Sequence, residues 1–180
     1  MDARRLAACC AGYMAWAMPL WLFTLVDAGW FGAGVYGLAG SLALGMALLL
    51  LVAGLLAVSA SAAVDALVMI VGGAFFATLH WAVALPAAGT GGAMGFLTWF
   101  HGVWSAAFAV LWLAARRGPL LRTYFLLALS VALASITVGG AVGTFVLVRV
   151  GGYIGLFAAL LAFAHAARCG WKLGGEGIAA

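Results

Sequence analysis

The chain is predicted to be an all-α integral membrane protein: one transmembrane domain over residues 1–180, with six helices crossing the bilayer. Three observations carry that prediction. Of its 180 residues, 68% are hydrophobic and 7% charged, against about 25% charged in a soluble domain, so it has no means of coating its surface for water. The apolar residues fall into six runs, each near the ~20 residues a helix needs to cross a hydrocarbon core of about 30 Å. Lys and Arg gather at the ends of those runs. The net charge of +4 does not signal nucleic acid, because no basic patch is interleaved with polar recognition residues. The lipid bilayer is the expected partner.

Residues 1–6 form a short polar start with Arg4 and Arg5. The segment 6–9 looks like a lipoprotein cleavage box, but only Met1–Arg5 precede it. A signal peptide needs about 7–15 apolar residues there, so the chain is read as intact. The first span is 9–26, with a kink expected near Ala15–Trp16 because Pro19 lacks an N–H and crowds the Ala15 carbonyl. An aromatic pair, Trp30 and Phe31, follows at interface level. The second span, 35–58, carries Gly37, Gly40 and Gly45 as candidates for close helix contact. A tight turn at 59–62 leads to the third span, 63–86, which ends at Pro86. After a glycine-rich loop, 87–95, the fourth span, 96–115, aligns His101, Trp104, Ser105 and Phe108. Pro119, suited to a first helical turn, opens the fifth span, 120–142. A loop at 143–149, the sixth span, 150–167, and a polar tail from Arg168 complete the chain.

Seven of the eight basic residues (Arg4, Arg5, Arg116, Arg117, Arg122, Arg168 and Lys172) then fall at one side and Arg149 alone at the other. The positive-inside rule puts both termini in the cytoplasm, and the expected location is the inner (plasma) membrane. Glycine-rich outer connections recur after each odd-numbered span, which suggests three helical hairpins in the same sense.

The third span holds the most informative stripe. Asp65, Gly72, Phe76 and His80 step by 7, 4 and 4 and so share one helix face. An ionisable group at mid-membrane costs roughly 2.5 kcal/mol or more, so such a face is expected to turn toward protein or a water-filled path. The plainer reading keeps Asp65 at a helix end near the headgroups and lets His80 hydrogen-bond a neighbouring helix. On the fifth helix Ser130, Thr137 and Thr144 step by 7 and offer hydroxyl donors. Motifs of soluble chemistry are missing: Cys9, Cys10 and Cys169 fit no metal spacing and, near cytoplasmic ends, are expected to stay reduced. No serine has a histidine–carboxylate partner at recognisable spacing. An enzyme is not expected, nor a cofactor or metal. A haem protein using His80, His101 or His165 is the one alternative of that kind.

The segments Gly12, Met14 and Met18, then 25–31 (Leu-Val-Asp-Ala-Gly-Trp-Phe), 53–56, Gly73 and Phe75 up to Pro86, Phe96 and Leu97 with Gly102 and Trp104, and 152–156 (Gly-Tyr-Ile-Gly-Leu) together resemble the acetate uptake transporters, over about residues 12–155. That resemblance implies six helices, a homo-hexamer, and a separate path in each protomer for acetate or succinate. It also implies a hydrophobic constriction made by a Phe, a Tyr and a Leu on the first, third and fifth helices, at positions occupied here by Trp16, Gly72 and Leu129. Only the Leu is kept. The family's Asn-Pro-Ala-Pro-Leu-Gly signature is replaced by residues 7–12 (Ala-Ala-Cys-Cys-Ala-Gly), and a glutamate after the second span by Ala57. One large ring at Trp16 is expected to fill the volume that Gly72 vacates.

The expected function is therefore a transporter or channel for acetate or a similar small carboxylate, proton-coupled because an unpaired carboxylate is too costly to bury. His80 is a candidate for exchanging that proton. Two alternatives stand beside it: a channel for small neutral solutes such as urea, amides or ammonia, and a non-transporting membrane subunit.

Overall fold

The computed structural model describes residues 3–84 and 92–178. Among them are six long helices: α1 (Ala3–Asp27), α2 (Tyr36–Ser59, preceded by a single 3-10 turn), α3 (Ala63–Ala84), α4 (Gly92–Ala115), α5 (Leu120–Ala141) and α6 (Phe145–Ile178). All six are long and apolar enough to cross a membrane, as expected of a multi-pass membrane protein. Consecutive helices are neighbours around a closed ring in which α6 returns to α1. The α3–α4 seam is lighter than the other five. A ring of antiparallel neighbours is what short connections demand, since each helix must turn back beside the one before it.

The ends of the spans differ from expectation. The polar start is helical from Ala3, and the polar tail continues α6 to Ile178: residues 168–178 hold no proline, although their glycines each disfavour a helix by about 1 kcal/mol. The loop expected over 143–149 shrinks to residues 142–144. Gly143 there adopts φ +69°, and the Thr144 N–H reaches back 2.8 Å to the Gly139 carbonyl, closing α5 in one turn. Helix α1 runs unbroken through Pro19. Pro86 and the glycine-rich stretch 87–91 lie outside the described residues.

Two further turns follow the same capping logic. At the end of α1, Gly29 sits at φ +83° and the Trp30 N–H bonds the Leu25 carbonyl. At the end of α2, Ser61 takes that left-handed position at φ 55°, with Ala62 N–H on the Ala57 carbonyl. Gly37 and Gly45 face open space and Gly40 meets His80. The closest approach made by α2 falls instead at Gly54, against Ile70 and the Ala66 carbonyl of α3. Gly152 lets α6 lie directly on the backbone of Asp27 and Ala28 at the end of α1, where any Cβ would collide.

Candidate functional site

The ring encloses a stack of buried side chains that divides the molecule into two ends. From the end where α1 stops, a cavity of about 560 Å³ runs inward between the α1–α2 connection and the α5–α6 turn. Its rim carries Asp27, Tyr36, Phe31, Phe145 and Arg149; its walls include Thr24, Leu79 and His101; its floor is Phe75, Phe76 and Leu129. Tyr36 donates its hydroxyl proton to Asp27 in a short hydrogen bond. Arg149 forms no ion pair among the described residues, and its guanidinium lies beside Gly29 at the rim.

Behind that floor lies Trp16, fully buried. Its ring touches Phe76, Phe125, Phe108 and Phe75, with centroids 5.1, 5.2, 5.5 and 6.2 Å away. Helices α1, α3, α4 and α5 thus all contribute to one aromatic plug. Its fit rests on Gly72: a Cβ built there would overlap the indole, whose Nε1 edge lies directly over the glycine. That Nε1 has no hydrogen-bond partner among the described residues. Leu129 is fully buried beside the plug. Of the three positions the resemblance assigns to a constriction, Trp16 and Gly72 are in direct contact and Leu129 lines the cavity with Phe75 and Phe76.

Below the plug, toward the chain ends, come Tyr13 and Phe125 (rings 5.9 Å apart) and then a buried ionic latch. Asp65 accepts a hydrogen bond from Arg122 at 2.8 Å, pairs with Arg5 at 3.5 Å and lies 3.5 Å from the Tyr13 hydroxyl. The sequence offered Asp65 as a pathway residue; the structure uses it to tie α1, α3 and α5 together. Its place in the first turn of α3 suits a carboxylate, since the helix N-terminus carries positive partial charge.

Of the remaining candidates, Phe76 alone lines the cavity. Phe76 faces the cavity, but His80 turns to α2, its Nδ1 2.9 Å from the Gly40 carbonyl. Ser130 and Ser105 each donate to the other's carbonyl, at 3.0 and 2.9 Å, clasping α5 to α4. Thr137 donates to the Leu133 carbonyl of its own helix at 2.8 Å, and its methyl faces Gly102. Thr144 lies beyond the end of α5, so the step of 7 does not continue to it. None of Asp65, His80, Ser130, Thr137 and Thr144 lines the cavity. His101, in the cavity wall, has its Nδ1 2.7 Å from the Leu97 carbonyl of its own helix.

The sequence reading missed Phe75, Phe108 and Phe125 as plug partners, and Arg122 and Arg5 as the partners of Asp65. The signals were present: Phe125 stands one turn before Leu129, and a carboxylate in an apolar span requires a cation. The cysteine expectation is also corrected. Cys9 of α1 and Cys169 of α6 are joined in a disulfide, with Cα atoms 6.1 Å apart, because α1 and α6 pack along their whole length.

No family model matches the chain, and no curated protein matches it. Among solved structures, that of the bacterial acetate channel SatP matches with a TM-score of 0.80, covering 89% of each chain at 21% identity. The resemblance read from the sequence thus extends to the whole fold.

Proposed function

We propose that the protein is a channel or transporter for acetate or a similarly small monocarboxylate, which crosses each protomer as the neutral acid or together with a proton. The observation that carries this reading is the apolar stop: a cavity with Arg149, which forms no ion pair among the described residues, at its rim ends on an apolar floor backed by Trp16. Arg149 would raise the local concentration of an anion at the mouth. The floor does not pass it as an anion, because Phe75, Phe76 and Leu129 offer neither positive charge nor hydrogen-bond donor and Trp16 only one neutral N–H, and a carboxylate so poorly compensated in low dielectric is prohibitively costly. Protonation at the mouth removes that barrier. The unpartnered Trp16 indole N–H is then a donor for the carbonyl oxygen of the passing acid. Satisfying a buried orphan donor is worth about 1–3 kcal/mol, enough to favour an oxygen-bearing solute over an alkane of the same size. The fold shared with an acetate channel supports the same reading.

The proposal includes cytoplasmic termini, an inner-membrane location and assembly as a homo-hexamer. The least covered span supports a lateral partner: 11% of the α4 window is buried, and Trp99, Val103 and Val110 stand exposed.

Flux of labelled acetate and labelled urea into proteoliposomes at two external pH values tests the function against protein-free vesicles. The expected protein-dependent acetate flux rises on acidification, by roughly tenfold per pH unit while the acid stays mostly ionised. Urea flux indifferent to pH would point to a neutral-solute channel, and no flux of either to a non-transporting subunit.

A further inference from the structure

At the end of the molecule opposite the cavity, His165 and Cys169 stand four residues apart on α6, and hence on one face, against Cys9 of α1. The two sulfurs and an imidazole nitrogen all lie within 4.8 Å of one another. All three side chains are more than nine-tenths buried: Cys9 is 5%, Cys169 4% and His165 6% exposed. A disulfide alone explains the two cysteines but not the histidine. His165 has a buried Nδ1 without a hydrogen-bond partner among the described residues. Its ring stands edge-on to Tyr13 at 4.4 Å, a contact that leaves the nitrogen unsatisfied.

The geometry points to a soft-metal site: with the disulfide reduced, Cys9, Cys169 and His165 form a trigonal two-sulfur, one-nitrogen site for a monovalent d10 cation, copper(I). In a trigonal site, metal–sulfur bonds of about 2.3 Å and metal–nitrogen bonds of about 2.0 Å put the donors roughly 3.7–4.0 Å apart, so the bonded sulfurs part on reduction, while an imidazole nitrogen already lies within 4.8 Å of both. Thiolate donors select copper(I) and zinc over harder ions. Zinc takes four ligands in structural sites, and no fourth ligand joins this group among the described residues. Cys10, the third cysteine, is directed toward Gly170 and not into the cluster.

The disulfide and the metal are alternatives. The Cys9–Cys169 bond takes two electrons and two protons from a cellular dithiol, which becomes a disulfide, and two thiols result. Copper(I) then displaces the two thiol protons and binds both thiolates and the imidazole. On the orientation proposed above, this site faces the reducing side of the membrane.

The test uses the full-length protein in detergent, reduced by a phosphine and titrated with copper(I) against a chromogenic copper(I) chelator. One equivalent per chain is expected to bind, and the same protein oxidised with diamide is expected to bind none until it is reduced again. That comparison needs no variant. Cys9→Ser and Cys169→Ser should each weaken binding by at least roughly 100-fold and His165→Phe by at least roughly tenfold, a first ligand costing no less than an outer-shell partner. Cys10→Ser should bind as wild type. Failure of the reduced protein to take up copper(I), equal uptake by the oxidised form, a Cys10→Ser loss matching Cys9→Ser, or preferential binding of zinc would each overturn the assignment.

Discussion

Trp16 and Gly72 act as a pair, and each constrains what the other position can hold. A methyl group at Gly72 would overlap the indole, which is walled by four phenylalanines and cannot retreat. Gly72→Ala should therefore lower thermal stability in detergent by the overpacking cost of about 1–3 kcal/mol. Trp16→Phe in the same chain should recover much of that loss. Additive losses in the double variant would show that the two residues do not share one volume. Trp16→Ala removes the plug, and the expected result is a several-fold rise in acetate flux with admission of a larger dicarboxylate such as succinate. Unchanged flux for every carboxylate tested would place the constriction elsewhere. The latch below is asymmetric in a testable way. Asp65→Leu leaves Arg122, whose side chain is 6% exposed, without its counter-charge, at a cost of about 3–5 kcal/mol. Arg122→Leu leaves Asp65 with Arg5 at 3.5 Å, so the smaller loss is expected from that variant, with thermal melting in detergent as the measure.

The helices themselves were the most legible feature of the sequence, because length and apolarity define a span without regard to its neighbours. Their ends were less so. Residues 143–149 are expected as a loop, yet a single left-handed glycine suffices to turn the chain, and Phe145 already begins α6. The stripe of α3 was half legible. Gly72 and Phe76 face inward as the period demands, whereas Asp65 finds a salt bridge and His80 a carbonyl on α2, both supplied by helices whose placement no local period reveals. Hydroxyls were misread for a similar reason: in an apolar interior Ser130 and Thr137 satisfy themselves on nearby carbonyls before any solute arrives. At the α2–α3 turn, Ser61 holds a conformation that costs an L-residue roughly 1–2 kcal/mol. Ser61→Gly should raise stability by up to about 1 kcal/mol after the added freedom of the unfolded glycine is subtracted, visible as a higher melting temperature with unchanged flux.

At the scale of the whole molecule, the resemblance to acetate uptake transporters singled out Trp16, Gly72 and Leu129, while composition alone could only place the chain in a membrane. What neither supplied was the division of labour between the two ends: an open, partly polar cavity on one side of Trp16 and a closed ionic and sulfur-bearing end on the other. That division arises from contacts between residues far apart in sequence. Asp65 and Arg122 are separated by 57 positions and Cys9 and Cys169 by 160. The latch also has a consequence for how the protein is made. Synthesis delivers residues at about 5–20 per second, so the 57 positions between Asp65 and Arg122 occupy the ribosome for roughly 3–11 s. Through that interval α3 has emerged with its carboxylate and without its main cation, and Arg5, already present on α1, is the counter-charge at hand. Of the latch's two cations, Arg5 is therefore available to Asp65 from the start and Arg122 only once α5 has been made.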